Sequence, residues 1–312
     1  MASRKSVDVQ FLQHRLLKWY LTHKRELSWR RTRDPYAILV SEIMLQQTQV
    51  SRVQEKLPAF LREFPTVQKL ARASGAEVIR AWQGMGYNKR AVHLRALAGM
   101  VVKRFDGRIP SEPSQLLKLP GIGKYTAHAI ACFAFRRRVP VVDVNVRRVL
   151  SRYFWKMKSL SDVKPETVIW KIAAEVLHNN ASEWNQALMD LGATICTGAK
   201  ARCDYCPIQL RCVSRLLVRV NGTKTRSLSR TNSEPMYGSI PRRIWRGKIV
   251  ETLRHVPAGQ SLTLKQIGSN IKSNFNENEL PWLAGVINGL IADGILGRSE
   301  RNTIIKVRLA TR

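Results

Sequence analysis

Four cysteines, Cys196, Cys203, Cys206 and Cys212, stand in the pattern C-x6-C-x2-C-x5-C within CTGAKARCDYCPIQLRC. Four thiols in so short a span make the chain turn around whatever takes their sulfurs. The spacing is not that of two paired zinc knuckles. It suits a 4Fe–4S cluster, which needs four thiolates. Zinc is the rival on chemistry alone. Two disulfides are the weaker alternative, because a basic chain without a secretory signal belongs in a reducing compartment. The fifth cysteine, Cys132, lies in the apolar run AIACFAF and reads as a small buried residue.

The charge balance points to a partner. Lys and Arg total 53 against 22 Asp and Glu, a net +31 over 312 residues. Such an excess favours a polyanion, and nucleic acid first, because each phosphate neutralised releases counterions. A surface basic only for solubility would not explain the scarcity of carboxylates. A hydrophobic content of 44% is that of a globular chain, which excludes a disordered polycation. No apolar run approaches the about 18 residues of a membrane span. The N-terminus, MASRKSVDVQ, has basic residues with no apolar stretch behind them. We therefore expect no membrane association and a monomer located with DNA: the nucleoid-bearing cytoplasm of a prokaryote, or the nucleus or mitochondrion of a eukaryote.

Apolar residues recur at helical spacing in VQFLQHRLLKWYL, YAILVSEIMLQQTQV, AEVIRAWQGMG, KRAVHLRALAGMVVKRF and VIWKIAAEVLH. Pro35 opens a helix, with Asp34 in front as its cap. Breaks fall at Phe64–Pro65, Gly84–Gly86 and Arg108–Pro110. The stretch 214–239, with Arg215, Arg219, Lys224, Arg226 and Arg230 among Ser, Thr, Asn and Gly, reads as a mobile basic linker. From about Ile240, PRRIWRGKIVETLRHV, LTLKQIGSNI and NELPWLAGVINGLIADGIL read as three helices. The tail GILGRSERNTIIKVRLA then alternates like a hairpin. Three helices and a hairpin make a winged-helix-like module, which serves DNA contact or protein contact.

Three segments carry chemistry. In LPGIGKYTAHAI, Gly121 and Gly123 make a tight turn into a helix whose first amides can face a phosphate. In VVDVNVRRVLSRYF, Asp143 precedes a helix, as a functional carboxylate or only its N-cap. In SEIMLQQTQV, Glu42 sits in an apolar helix, which invites a raised pKa if it faces inward and means little if it faces water.

Together SEIMLQQTQV, WQGMGYNKRAVHL, LPGIGKYTAHAI, VVDVNVRRVLSRY and the cysteine segment resemble, in order, the helix-hairpin-helix (HhH-GPD, endonuclease III) base-excision glycosylases with an iron–sulfur cluster. SEIMLQQTQV is most similar to the MutY-like adenine glycosylases. The resemblance covers roughly residues 7–213. It implies a mainly α, two-lobed fold in residues 1–213 with a 4Fe–4S loop at 196–212, held by Cys196, Cys203, Cys206 and Cys212. The linker at 214–239 and a small α+β winged-helix-like domain at 240–312 follow. The N-terminal helix with residues near 136–213 is expected as one lobe, and residues near 25–135 as the other.

The same resemblance implies roles. Glu42 would protonate the departing base and Asp143 would stabilise the oxocarbenium-like sugar, with Asn145 beside it. One carboxyl must be protonated and the other ionised. Tyr125 occupies the position where bifunctional relatives carry a lysine, and a tyrosine cannot form a Schiff base. Arg25, Trp29, Leu45 and Gln186 would line an adenine pocket, Gln186 offering a donor and an acceptor. For Trp29 and Leu45, plain core packing is the alternative. Gln47 and Tyr87 would wedge into the duplex when the base is flipped out. Gly121, Gly123, Lys124, Lys200 and Arg202 would meet phosphates. The partner implied is double-stranded DNA containing a mispair.

Two departures matter. The family's usual GYY reads Gly86-Tyr87-Asn88, and the segment after Ile240 is short for the Nudix-like domain that reads 8-oxoguanine opposite the adenine. Adenine opposite 8-oxoguanine or guanine is therefore the expected substrate, with a relaxed choice between them. The alternatives are a mismatch thymine or uracil glycosylase of the same superfamily, and a non-catalytic iron–sulfur DNA sensor.

Overall fold

The computed structural model describes residues 2–157, 163–221, 234–301 and 304–311. Helices follow one another as α1 (Ala2–His23), α2 (Pro35–Leu45), α3 (Val50–Glu63), α4 (Val67–Arg72), α5 (Gly75–Ala81), α6 (Lys89–Phe105) and α7 (Pro113–Leu116). Then come α8 (Lys124–Phe133), α9 (Val144–Phe154), α10 (Glu166–Glu175), α11 (Ala181–Thr194) and α12 (Arg215–Asn221). The last part holds the short strands β1 (Met236–Tyr237) and β2 (Ile240–Pro241), α13 (Arg242–Arg254), β3 (Leu262–Thr263), α14 (Leu264–Ile271), α15 (Leu280–Ala292), β4 (Leu296–Arg301) and β5 (Ile304–Leu309). Among the described residues no helix is long and apolar enough to cross a membrane.

Helix starts follow from side chains that satisfy the orphan N–H groups of a first turn. Asp34 accepts from the Tyr36 and Ala37 amides in front of α2. Ser74 and Glu77 form a reciprocal capping box on α5. The helix expected through residue 50 ends instead at Leu45. Arg90 takes the carbonyls of Ile43, Met44 and Gln46 that a continuing helix would need, and the polar Gln46–Gln49 turns into α3.

The chain divides into two compact units. The first holds residues 1–38, 111–117 and 122–231. Its core joins Leu12 and Leu16 of α1, Ala129 and Cys132 of α8, Val149 and Tyr153 of α9, Ile169 of α10 and Trp184 and Leu188 of α11. Helix α8 was expected in the other lobe. It falls in this one because Ala129 and Cys132 are fully buried in that core. Helix α12 occupies the start of the segment expected as linker; Lys224, Arg226 and Arg230 lie outside the described residues.

The second unit holds residues 39–110, 118–121 and 232–312. Helices α13, α14 and α15 pack with an antiparallel sheet ordered β3-β5-β4, the helices-then-hairpin arrangement expected of the tail. Its core is shared: Ala76 and Ile79 of α5 join Trp245, Ile249, Ile267, Leu283 and Leu290.

Candidate active site

In the first unit, Asp143 caps α9. Its Oδ1 accepts from the Val146 amide at 2.7 Å and its Oδ2 from Asn145 Nδ2 at 2.8 Å. Asn145 Oδ1 accepts in turn from Arg148 Nη2 at 2.8 Å, and Arg148 also donates to the carbonyls of Gly192 and Cys196. Burial pushes the Asp143 carboxyl above the usual range, while these donors and the Arg148 charge favour the anion. The carboxylate is thus an N-cap, one of the two sequence readings, with its second oxygen held by a side chain. Gly192 makes the arrangement possible: a Cβ there would lie 2.6 Å from Asn145 Cβ, so α11 can approach α9 this closely only without one.

Arg25, Trp29 and Gln186 line one cavity of about 530 Å³ in this unit, with Tyr20, Arg30 and Arg136 among its other walls. Trp29 is buried, so it packs in the core and lines the cavity at once. The acceptor expected of Gln186 is already engaged, because Tyr20 donates its hydroxyl to Oε1 at 2.7 Å. Beneath the cavity wall, Asp190 is fully buried on α11 and receives Arg25 Nε at 2.6 Å and Arg30 Nη1 and Nη2 at 2.8 Å. Burial alone would raise the Asp190 pKa. The Arg30 and Arg25 hydrogen bonds and charges outweigh it and hold the carboxyl below the ordinary range.

The depressed pKa sets a sign. A carboxylate of this kind contributes stability above its unfolded pKa of about 3.9 and loses it as pH falls through the lower folded value. Asp190→Asn leaves two guanidinium groups without their counter-charge. It is expected to cost about 3 kcal/mol at neutral pH and to remove part of the acid-induced loss of stability below about pH 4. Urea melts of both chains at neutral and acid pH check this.

Tyr125 stands half-buried in the first turn of α8, packed against the first core. Its neighbour Lys124 is held over the Trp170 ring, 4.1 Å from the centroid. Gly123 is the extended N-cap of α8.

In the second unit, Glu42 is 4% exposed on α2, among the buried Leu39, Val40, Ile43 and Met44. The surface-facing alternative is thereby set aside. Leu45, half-buried, ends the same helix, in a different unit from the other expected pocket residues. Gln47 and Tyr87 are both exposed and both left-handed, at φ 58° and 45°. Arg90, 8% exposed, ties their two loops together. It donates to Ile43 O, Met44 O and Gln46 O at 3.0, 2.8 and 2.5 Å on one side, and to Met85 O and Gly86 O at 2.9 and 3.2 Å on the other. Burial pushes its pKa down to about 10, so it stays charged at neutral pH. Gly121, at φ 77°, lies against His93, where a Cβ would come within 3.1 Å of the imidazole stem.

The four cysteines of the loop line one small cavity with Arg152, Ile195 and Arg215. Arg152 Nη1 approaches Cys196 Sγ at 3.4 Å, and Arg15 Nε donates to Pro207 O. Among the described residues no three His, Cys, Asp or Glu side chains are gathered tightly enough to grip one metal ion. Four thiols around one cavity are the donor set that a four-thiolate cluster takes. Burial pushes the Cys206 and Cys212 thiols up to about 12 and about 11, so thiolates here need a cationic partner. Lys200 and Arg202 are exposed on the loop itself, and Arg202 Nη2 donates to Thr194 O. Cys132 is fully buried and inert, near Asn185.

Sequence reasoning missed Asp190, Arg90, Arg148 and Gly192. Asp190 had a visible signal, an acid inside the apolar run ALMDLGATI, the same one that marked Glu42. The arginines had none, since most of their partners are backbone carbonyls, which every residue has.

A family model described as the HhH-GPD superfamily base excision DNA repair protein matches residues 40–175. The chain is 41% identical over 242 residues to the adenine DNA glycosylase of Mycolicibacterium smegmatis, covering 77% of this chain and 79% of that protein. It is 39% identical over 222 residues to the human adenine DNA glycosylase, of which it spans 41%. Among solved structures, a thermostable thymine-DNA glycosylase superposes with a TM-score of 0.64 at 30% identity, over 69% of this chain and 99% of that one. An endonuclease III–DNA complex does so at 0.57 and 20% identity, over 65% and 93%, and shares the fold.

Proposed function

The chain belongs to the HhH-GPD superfamily of base excision DNA repair proteins, and from that premise we propose how its residues remove a base from DNA. It is a DNA N-glycosylase of the adenine DNA glycosylase type, excising adenine from mispairs. The adenine to be removed stands opposite 8-oxoguanine or guanine.

The N-glycosidic bond breaks easily only if the base leaves neutral and the cation left on the sugar is stabilised. Glu42 delivers a proton to the adenine ring. The electron pair of the C1′–N bond goes to the base, and the Asp143 carboxylate, steadied by Asn145 and the Val146 amide, faces the developing positive charge. Water then adds at C1′ and gives up a proton, leaving an abasic site. Arg25, Trp29, Leu45 and Gln186 bind the everted base. Gln47 and Tyr87 fill the vacated stack, and Gly121, Gly123, Lys124, Lys200 and Arg202 hold phosphates. Cys196, Cys203, Cys206 and Cys212 would hold a 4Fe–4S cluster, which would brace the loop as a structural group. The observation that carries the reading is the doubly hydrogen-bonded Asp143 carboxylate at the start of α9.

The 30% identity to a thymine-DNA glycosylase keeps a second substrate in view. Single-turnover assays on duplexes with A opposite 8-oxoguanine, A opposite G, T opposite G and U opposite G separate the two. Release of adenine alone is expected; release of T or U without A would end the adenine reading. With Tyr125 in place of a lysine, strand cleavage by β-elimination is expected to be slight. Borohydride added during turnover should trap little covalent protein–DNA complex, and efficient trapping would refute a monofunctional enzyme.

A further inference from the structure

The loop that carries Tyr87 is gripped by the C-terminal module, and the grip falls on both sides of that residue. Before it, Gln83 donates to Glu251 of α13. After it, Asn88 Oδ1 accepts from Arg254 Nη2 at 2.8 Å, and Lys89 Nζ meets Asp293 Oδ1 at 2.8 Å. Arg254 is the hub. Its side chain is 8% exposed, its Nε donates to Ile79 O at 3.1 Å and its Nη1 to Glu251 Oε2 at 2.7 Å. Arg80 of α5 returns the contact, donating to the carbonyls of Arg254 and Val256. Asp293 is fixed from behind by Arg246 Nη2 at 2.5 Å. The apolar layer beneath is continuous, Ala76 and Ile79 packing with Ile249, Val250 and Leu253.

A mobile phosphate-binding appendage needs none of this. One buried guanidinium and the polar ties around it, at both ends of a left-handed loop, restrict that loop, and Asn88 is the position at which this chain departs from the family's GYY. We propose that the C-terminal module positions the Tyr87 loop for base extrusion, and that Arg254 is the positioning residue that couples them through Asn88. The inference rests on the wedge reading of Tyr87.

The test uses the full chain and a duplex with 2-aminopurine opposite guanine, whose fluorescence rises on unstacking, together with single-turnover adenine release. Asn88→Ala removes the acceptor and leaves the module's core untouched. It and Arg254→Ala are each expected to lower extrusion and release by about tenfold. The double variant should lose no more than either alone, and Asn88→Asp should restore both signals. Duplex affinity and its salt slope should not change. Normal extrusion in Asn88→Ala, additive losses in the double variant, or a loss appearing as weaker binding with a flatter salt slope would each overturn the proposal. Tyr87→Ala separates the premises. If it extrudes normally while Asn88→Ala does not, the wedge reading falls and the coupling stands; the reverse pattern removes the coupling alone.

Discussion

Asp143→Asn is expected to slow single-turnover base release by about 10³-fold, the scale of losing one preorganised charge at a developing cation. Duplex affinity should stay within a fewfold of the parent. The substitution preserves volume, and the asparagine Oδ1 can still accept from the Val146 amide, so the cap on α9 survives. What disappears is the negative charge that the Asn145–Arg148 chain holds in place. Glu42→Gln should cost about as much, because a neutral amide occupies the same buried position on α2 without a proton to give. Filter binding and quenched release assays on the same preparations check both. A loss of binding in step with the loss of rate would mean that these side chains serve the fold.

Cys206→Ser is expected to strip iron and sulfide from the protein and to lower its stability by about 3 kcal/mol, the scale of a lost covalent staple. For a chain of this size the thermal midpoint would fall by about 5 °C. The loop has little regular structure to fall back on: its local ties are short turns, such as the Cys206 amide to the Cys203 carbonyl and the Cys212 amide to the Gln209 carbonyl. Iron and sulfide analysis with a thermal melt checks this without any assay of activity. A serine variant with full iron content and an unchanged midpoint would remove the cluster from the account.

Local features were legible because local chemistry produces them. The apolar spacing of KRAVHLRALAGMVVKRF matches α6 from Lys89 to Phe105, and Asp34, Pro35 and Asp143 start helices as their side chains require. The packing partners were not legible. Nothing near Ala129 says that α8 buries it in the core with α11, and nothing near Ile79 says that α13 will cover it. The charge count misled in part. The excess of Arg and Lys reads as affinity for a polyanion, yet Arg90, Arg148, Arg152 and Arg254 direct their guanidinium groups at internal carbonyls, a thiol and amide oxygens. An arginine that binds carbonyls leaves no periodic trace, since its partners are backbone atoms that every residue has.

The central claim is that one carboxyl is protonated while the other is ionised when the base departs. The pH dependence of single-turnover adenine release from a mispaired duplex tests it most directly. Release should fall on the acid side as Asp143 takes up a proton, at a pH above the ordinary Asp value because burial raises that group. Asp143→Asn should erase that acid limb, and Glu42→Gln should keep it on a much lower rate. An acid limb that survives unchanged in Asp143→Asn would contradict the claim.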